Sequence, residues 1–345
     1  MEIIRVESGK KYSVYIGELE DLHFSNKVLI ITNPLIHNLH IKYLLEKIEC
    51  KEVSVAFIED GEEFKNMESV QNLLNFAFSL NLSREDSIIA FGGGVISDIG
   101  AFVAGIYKRG ISFVNIPTTL LAQVDASVGG KCGVNSSFGK NLIGLFNDPK
   151  SVYIDTFFLK TLPLREFRSG LSEIIKIAIC FDRDFFMWLV NANLEDKNQL
   201  IYAIKKSISL KANVVSKDWR EENLRANLNY GHTFGHVIEL LGGYKKYLHG
   251  ESISIGMCMA NELAFKLGML KIDDLNLIKL VLKKFGLVTK YKVENASEFY
   301  KHFANDKKNK NGNINFILPS SIGMVKMVSN IPEEIVLDVL NLEYD

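Results

Sequence analysis

Apolar and polar positions along the first half of the chain follow two alternating periods. Short runs rich in apolar and β-branched residues predict strands at 1–6, 27–32, 52–59, 87–91, 111–116 and 152–155. Segments with helical spacing of apolar residues lie between some of these runs, at 35–48 and 67–80. Strands separated by helices favour right-handed crossovers, so this part of the chain is predicted to form a mostly parallel sheet.

The pattern becomes mainly helical after about residue 160. Apolar residues recur at helical spacing in the segments 165–180, 200–215, 233–241, 252–267 and 275–285, and a hairpin signal follows at 313–318 and 323–328. No internal repeat or low-complexity tract interrupts the pattern. The sequence therefore predicts a fold of class α/β plus α, with a nucleotide-binding α/β domain at 1–161 and a mainly α-helical domain at 162–345.

The composition is that of a globular protein large enough for two domains. The chain has 345 residues and a formal net charge of −1, which argues against nucleic-acid binding through bulk electrostatics. Its four cysteines are scattered, which indicates reduced thiols in the cytoplasm and no disulfide framework. The N-terminal residues do not resemble a signal peptide, and no apolar run is long enough to span a bilayer. We expect a cytoplasmic protein with neither membrane nor nucleic-acid partners.

A glycine-rich turn at 92–94 follows one predicted strand and precedes a predicted helix. Its backbone can approach a diphosphate closely, and the helix N-terminus offers free N–H groups. The spacing is not the dinucleotide fingerprint Gly-x-Gly-x-x-Gly, so a tight turn without a ligand is the alternative. Thr118 and Thr119 follow the next strand, and the segment 60–65 closes another, at a position where an acidic residue often binds ribose hydroxyls.

The segment 123–144 carries lysines, amides and an acid among five glycines. It has no amphipathic period and is too long for a turn. It is therefore predicted to be a loop that encloses an anionic, polyhydroxylated ligand. Further cations lie at Arg109, Lys176, Lys211 and Arg225. Taken singly, each of these cations is better explained as a solvated surface charge.

Three of the seven histidines, His232, His236 and His249, fall in one short window. His232 and His236 are four residues apart, which places both imidazoles on one face of a helix and suits a zinc ion. The alternative is a helix N-terminus with two packed or solvated histidines. Glu173 lies among apolar residues and shares a helix face with Lys176, so it is either half of a surface ion pair or a third metal ligand. Three protein ligands with one open position are typical of catalytic zinc.

Together these segments resemble the 3-dehydroquinate synthases, a family of sugar-phosphate cyclases. The resemblance is carried, in the family's order, by DGEEFK at 60–65, GGGVISD at 92–98, RG at 109–110, PTTLLAQVDASVGGKCGVN at 117–135, GKNLIG at 139–144, TLPLREFRSGLSEIIK at 161–176, LNYGHTFGH at 228–236, LHGE at 248–251 and DKK at 306–308. It implies a Rossmann-like NAD-binding domain, an α-helical metal-binding domain, an active site in the cleft between them, and a homodimer.

The family reaction implied by the resemblance belongs to the shikimate pathway, which leads to chorismate and the aromatic amino acids. A carbon–oxygen lyase converts 3-deoxy-D-arabino-heptulosonate 7-phosphate into 3-dehydroquinate and phosphate. The reaction proceeds by transient oxidation with NAD, β-elimination of phosphate, re-reduction, ring opening and an aldol closure. A divalent metal, zinc or cobalt, is the second cofactor.

The resemblance also assigns site residues by position. The implied metal ligands are Glu173, His232 and His249, so that His236 moves from the metal to the substrate. The implied NAD contacts are Asp60, Gly61, Glu62, Glu63, Phe64, Lys65, Gly94, Val95, Ile96, Ser97, Asp98, Thr118, Thr119, Asp125, Lys131, Lys140, Phe158, Leu159, Lys160 and Thr161. The implied catalytic residues are Lys131, Lys140, Lys176, Arg225, Asn229 and His236. The substrate would be held by Arg109, Asn141, Lys211 and either Lys307 or Lys308.

Two other enzyme classes share parts of this pattern. A metal-dependent NAD polyol dehydrogenase of the glycerol dehydrogenase type shares the two-domain plan but lacks the lysine-rich segment at 131–141. Other sugar-phosphate cyclases differ in the residues that hold the substrate, and Lys140, Arg225 and Asn229 favour a substrate with a carboxylate. Cys132, Ser97 and the pair 100–101 depart from the residues common in the family, and none of them is an implied ligand of the metal.

Overall fold

A computed structural model describes residues 1–303 and 314–344. The described residues form two compact units. The first comprises Met1–Pro163 and Lys211–Trp219, and the second comprises Leu164–Leu210 and the described part of Arg220–Asp345. The division into domains at 1–161 and 162–345 stays a prediction. The first unit differs from the predicted first domain because it also includes the segment 211–219.

The first unit contains an α/β sheet and its helices. Its strands are β1 (Glu2–Glu7), β2 (Lys11–Ile16), β3 (Leu22–His23), β4 (Lys27–Thr32), β5 (Ile48–Glu49), β6 (Glu52–Phe57), β7 (Ser87–Gly92), β8 (Ser112–Pro117), β9 (Lys131–Ser136), β10 (Gly139–Phe146) and β11 (Ser151–Ile154). Its complete helices are α1 (Pro34–Leu45), α2 (Met67–Ser79) and α3 (Gly94–Ile106).

Seven of the described strands form one sheet in the order β1-β2-β11-β8-β7-β4-β6. The edge pair β1 and β2 is antiparallel, and the other neighbouring pairs are parallel. The predicted mostly parallel sheet is therefore confirmed. The carboxyl ends of the parallel strands lie at one edge of such a sheet, which is where open α/β sheets bind ligands.

Side chains of the central strands pack alternately into two apolar cores. In β4, Leu29 and Ile31 belong to one core, whereas Val28 and Ile30 belong to the other, and β7 alternates in the same way. Successive strand residues point to opposite faces, so helices cover both faces of the sheet. Burial of each such side chain contributes roughly 1.5–3 kcal/mol to folding.

The prediction of a loop at 123–144 was wrong. Residues 131–136 and 139–146 form the antiparallel hairpin β9–β10, in which Gly133 lies directly opposite Gly144. A Cβ on Gly133 would lie 2.8 Å from the Cα of Gly144, so the two backbones approach too closely for side chains. Because glycine has no side chain, these positions do not show the alternation of apolar and polar residues that predicts a strand. From the hairpin, Cys132 and Val134 are buried in the core, and Leu145 packs against it.

The second unit is mainly helical, as predicted. Its helices are α4 (Leu164–Phe181), α5 (Arg183–Asn191), α6 (Lys197–Lys217), α7 (His232–Leu241), α8 (His249–Lys266), α9 (Ile272–Lys284), α10 (Ala296–Phe303) and α11 (Glu333–Leu340), and its strands are β12 (Asn315–Ser321) and β13 (Met324–Ser329). Helix α6 contributes its residues from Lys211 onward to the first unit. In the described part of the chain, none of the helices combines the length and apolarity needed to cross a membrane.

Candidate functional site

The glycine-rich turn lies between β7 and α3, at the carboxyl end of a parallel strand. A Cβ on Gly92 would meet the side chain of Ile96 at 2.6 Å, and a Cβ on Gly93 would meet Thr119 at 3.2 Å. The backbone N–H of Thr118 donates to the carbonyl of Gly92 (2.9 Å), which holds the ends of β7 and β8 together. The buried Thr118 hydroxyl has no hydrogen-bond partner among the described residues. It therefore offers a polar atom to a ligand at the N-terminus of α3.

Lys65, in the segment 60–65, contacts two other predicted binding segments. Its side chain is buried, and its Nζ lies 2.5 Å from Asp98 Oδ2 and 2.6 Å from Asn141 Oδ1. Burial lowers the pKa of Lys65, but the negative charges of Asp98 and Glu62 outweigh burial and raise that pKa above its ordinary value. Lys65 therefore stays cationic, and it links 60–65, α3 and the β9–β10 hairpin.

The acidic segment 60–65 is held by two asparagines. Asn33 donates from Nδ2 to Asp60 Oδ1 (2.9 Å), while its own Oδ1 caps α1. Asn135 on β9 donates to Glu62 Oε1 (2.8 Å). Asn33 was absent from the predicted site, and its position directly after β4 is the signal that could have found it. Gly61 has φ +130°, a backbone conformation that residues other than glycine rarely adopt.

Asp125 and Lys211 form a second pair within the first unit. Lys211 Nζ donates to the carboxylate of Asp125 (2.5 Å) and to its backbone carbonyl (2.6 Å). The Lys211 side chain is almost fully buried, whereas that of Asp125 is one-third exposed. A residue predicted to contact NAD and a residue predicted to hold substrate are thereby in direct contact.

The remaining predicted residues of the first unit lie in turns and on the hairpin. The stretch 158–161 belongs to a 3₁₀ helix, in which Thr161 Oγ1 lies 2.7 Å from His40 Nε2. Lys131 is exposed and Lys140 is partly buried on the β9–β10 hairpin. Arg109 is exposed in the turn after α3, with φ +65°. Lys307 lies outside the described residues.

Three predicted metal ligands come together in the second unit. One donor atom from each of Glu173 on α4, His232 on α7 and His249 on α8 lies within 4.8 Å of the other two. Glu173 is buried, and its Oε1 has no hydrogen-bond partner among the described residues. An unsatisfied buried carboxylate oxygen facing two imidazoles fits a divalent cation.

Hydrogen bonds orient both imidazoles of this cluster. His232 Nδ1 lies 3.2 Å from the carbonyl of Tyr230, which can only accept, so this nitrogen carries the proton. His249 Nε2 lies 3.6 Å from Glu173 Oε1, and its Nδ1 lies 3.4 Å from Glu239 Oε1. Burial lowers the pKa of His249, but the carboxylates of Glu173 and Glu239 outweigh burial and raise it to about 10. The position thus strongly favours a positive charge, either a proton or a metal ion.

The other histidine of the window is separate from the metal cluster. His236 lies one turn beyond His232 on α7, is exposed, and has its ring centroid 5.3 Å from that of His232. Among the described residues, the cluster able to hold a metal consists of Glu173, His232 and His249, and His236 is not part of it. The four-residue spacing suggested His232 and His236 as ligands, whereas the structure brings His232 and His249 together.

The other predicted polar residues of the second unit lie on α4, on α8 and in a 3₁₀ helix at 224–229. Lys176 forms a buried ion pair with Glu173 Oε2, and Arg225 is buried in a 3₁₀ helix. Asn229 donates from Nδ2 to Glu221 Oε1 (2.6 Å). Glu251 accepts from the backbone N–H of Leu248 (2.8 Å), so it caps α8.

Sequence comparisons identify one family over nearly the whole chain. A family model for the 3-dehydroquinate synthase N-terminal region matches residues 55–169, and one for the C-terminal region matches residues 170–309. The 3-dehydroquinate synthase of a Nitratiruptor species is 52% identical over 331 residues, which cover 96% of this chain and 95% of the relative.

Two solved structures have the same fold. A 2-epi-5-epi-valiolone synthase from Streptomyces hygroscopicus subsp. jinggangensis, with NAD⁺ and Zn²⁺ bound, aligns with a TM-score of 0.87 and 24% identity over 99% of this chain and 98% of that chain. A 2-deoxy-scyllo-inosose synthase complexed with carbaglucose-6-phosphate, NAD⁺ and Co²⁺ aligns with a TM-score of 0.85 and 24% identity over 99% of both chains.

Proposed function

The chain belongs to the 3-dehydroquinate synthase family, and we propose that it converts 3-deoxy-D-arabino-heptulosonate 7-phosphate into 3-dehydroquinate and inorganic phosphate. The observation that carries this assignment is the 52% identity to a 3-dehydroquinate synthase over nearly the whole chain. The cluster of Glu173, His232 and His249 adds a site with the donor set of a catalytic metal. The enzyme is accordingly a carbon–oxygen lyase of the shikimate pathway.

NAD is the first proposed cofactor. When bound, it supplies a hydride acceptor that returns the hydride within the same turnover. The segment from Gly94 to Asp98, at the N-terminus of α3, would hold the diphosphate, because the first N–H groups of a helix have no intrahelical partner and the glycines before it leave room for backbone approach. The buried, unsatisfied Thr118 hydroxyl fits a polar ligand at the same strand ends. Asp60 would accept hydrogen bonds from ribose hydroxyls.

A divalent metal, zinc or cobalt, is the second proposed cofactor. When bound, it acidifies and orients substrate hydroxyls as a Lewis acid. Glu173 would offer Oε1, since its other carboxylate oxygen is paired with Lys176. His232 would offer Nε2, because its Nδ1 is committed to the Tyr230 carbonyl. The related cyclases that carry Zn²⁺ or Co²⁺ support both metals as candidates.

Cations and amides of this chain are proposed to bind and polarise the substrate. Lys131, Lys140, Lys176 and Arg225 would neutralise the carboxylate, the departing phosphate and the enolate charge that develops when the substrate loses a proton. Arg109, Asn141, Lys211, Asn229 and Lys307 would fix the substrate's orientation by hydrogen bonds. His236 would donate a hydrogen bond to the substrate. The leaving phosphate assists in removing the substrate's own proton, so no separate protein base is required.

The assay that tests this proposal measures two products at once. The purified protein, loaded with Zn²⁺ or Co²⁺ and NAD, is given the heptulosonate phosphate while phosphate and NADH are followed together. Stoichiometric phosphate release without net NADH supports the proposal. Net NADH formed from a simple polyol would instead identify a polyol dehydrogenase, and turnover only of sugar phosphates that lack a carboxylate would identify another cyclase.

We also propose a homodimer located in the cytoplasm, on the strength of family membership. Light scattering coupled to gel filtration tests the homodimer directly. A mass equal to one chain at micromolar protein concentration would contradict it.

A further inference from the structure

Glu239 is a buried carboxylate beside the metal cluster that none of the proposed roles uses. It lies on α7, is only 3% exposed, and its Oε1 is 3.4 Å from Nδ1 of His249. A buried carboxylate is costly unless it is hydrogen-bonded or paired with a positive charge. The buried carboxylate is thus in contact with a ring nitrogen of a proposed metal ligand.

The two nitrogens of His249 face two different carboxylates. Nδ1 faces Glu239 Oε1, and Nε2 faces Glu173 Oε1 at 3.6 Å. An ionised carboxylate can only accept a hydrogen bond, so contact with Glu239 places the proton on Nδ1 and leaves the Nε2 lone pair for a metal. The carbonyl of Tyr230 does the same for His232, but it carries no net charge. Glu239 therefore adds both orientation and negative charge to the site.

The packing of α7 against α8 fixes the position of Glu239. Glu239 is seven residues after His232, which is two helical turns, so both side chains leave α7 on one face. A Cβ on Gly235 would lie 3.0 Å from the carbonyl oxygen of Ser252, and a Cβ on Gly256 would lie 2.8 Å from the nitrogen of Gly235. The glycines let the two helices approach closely, and this close approach sets the distance from Glu239 to His249.

We propose that Glu239 is a positioning residue of the metal centre, which fixes the tautomer and ring orientation of His249 and strengthens the binding of the metal. The inference rests on the proposed metal site. Glu251, which is closer to His249 in sequence, does not take this role, because its carboxylate bonds Arg165 and the N–H of Leu248.

The test measures metal affinity in the full-length protein. Wild type, Glu239→Ala and Glu239→Gln are titrated with Zn²⁺ against a chromophoric chelator, and the visible absorption of Co²⁺ reports the ligand geometry. Loss of a carboxylate that orients a ligand histidine typically lowers metal affinity about 10–100-fold. We expect the Ala variant near the upper end. The Gln variant should lie near the lower end, because it keeps the volume and one acceptor oxygen but loses the charge.

Glu262→Gln serves as the matched control. It removes a partly buried carboxylate from α8, about 20 Å along the helix from His249. Its Zn²⁺ affinity and Co²⁺ spectrum should equal those of the wild type. The melting temperature of each metal-free variant shows whether it is folded, and the isosteric Gln variant decides the question if the Ala variant does not fold.

The possible outcomes separate this inference from the metal site itself. Wild-type affinity and an unchanged Co²⁺ spectrum in Glu239→Gln and Glu239→Ala would overturn the role of Glu239. Equal Zn²⁺ affinity in wild type and His249→Ala would instead overturn the proposed metal site. A reduced melting temperature with unchanged metal affinity would show that Glu239 is purely structural.

Discussion

Lys176 pairs with one carboxylate oxygen of Glu173 and leaves the other oxygen to the metal cluster. The two residues lie one turn apart on α4, and their side chains are 3% and 2% exposed. Oε2 of Glu173 is bound to Lys176, whereas Oε1 has no hydrogen-bond partner among the described residues and lies 3.6 Å from His249 Nε2. The ion pair therefore orients the proposed ligand and partly balances its charge before a metal binds.

Removing Lys176 should destabilise the metal-free protein. Lys176→Met leaves the buried carboxylate of Glu173 without its cation, and breaking a buried pair in this way costs about 3–5 kcal/mol. Saturating Zn²⁺ should recover part of this loss, because the metal neutralises the same carboxylate. Urea denaturation with and without Zn²⁺ measures both quantities.

Lys266→Met is the control for this experiment. Lys266 forms a solvent-exposed ion pair with Asp338 at 3.1 Å, and such pairs contribute roughly 0–1 kcal/mol. If the Lys176 variant lost no more stability than the Lys266 variant, the balancing role of Lys176 would be wrong.

The parts of the fold that could be predicted were those with a strong apolar period. β4 and β7 are buried on both faces, so their uninterrupted apolar runs identified them within one residue at either end. The β9–β10 hairpin was predicted as a loop, because its opposed glycines carry no side chains to alternate. Helices α5, α10 and α11 span only eight or nine residues each, which gives too few turns for a helical period to stand out.

The candidate site could also be predicted from the sequence only in part. Spacing alone pointed to His232 and His236, because a four-residue interval is the only relationship visible locally. The partners His249 and Glu173 lie on two other helices, so only the folded chain or the family resemblance could join them. Glu239 was missed, although it shares a face of α7 with His232, because a carboxylate in an amphipathic helix is usually solvated.

The glycine pair of the hairpin should tolerate no side chain. Gly133→Ala forces β9 and β10 apart, since the new Cβ would lie 2.8 Å from the Cα of Gly144. Overpacking of this kind costs about 1–3 kcal/mol, and displacement of the hairpin residues by about 1 Å can lower turnover up to about 100-fold. Ser137→Ala, in the exposed turn of the same hairpin, should match wild type in melting temperature and phosphate release. A Gly133→Ala protein with both properties intact would contradict the close strand packing.

The Lys65–Asp98 pair should make stability depend on pH when one partner is removed. Burial raises the pKa of Asp98, and Lys65 opposes this rise. In Lys65→Met the Asp98 pKa should rise further, so the folded state favours the protonated acid. The variant should then be least stable at neutral pH and should approach the wild type as pH falls toward the unfolded-state value of about 3.9.

A second substitution checks the source of this pH dependence. Lys65→Met combined with Asp98→Asn removes the charge and keeps the shape, so the double variant should recover stability at neutral pH and lose the additional pH dependence. Urea denaturation without NAD, over a range of acidic to neutral pH, measures both variants. An identical pH profile for the single and double variants would show that Asp98 is not the titrating group.

Replacement of His236 and of His249 by alanine should have different effects on metal content. His236 is exposed and lies outside the metal cluster, so His236→Ala should keep the wild-type Zn²⁺ content. Its turnover should fall about 10–100-fold, the equivalent of one hydrogen bond to a charged substrate group. His249→Ala removes a ligand and should lose both metal and phosphate release. Metal analysis after gel filtration, together with the phosphate assay, distinguishes the two variants. If His236→Ala lost as much Zn²⁺ as His249→Ala, then His236 would be a metal ligand, as the four-residue spacing alone suggested.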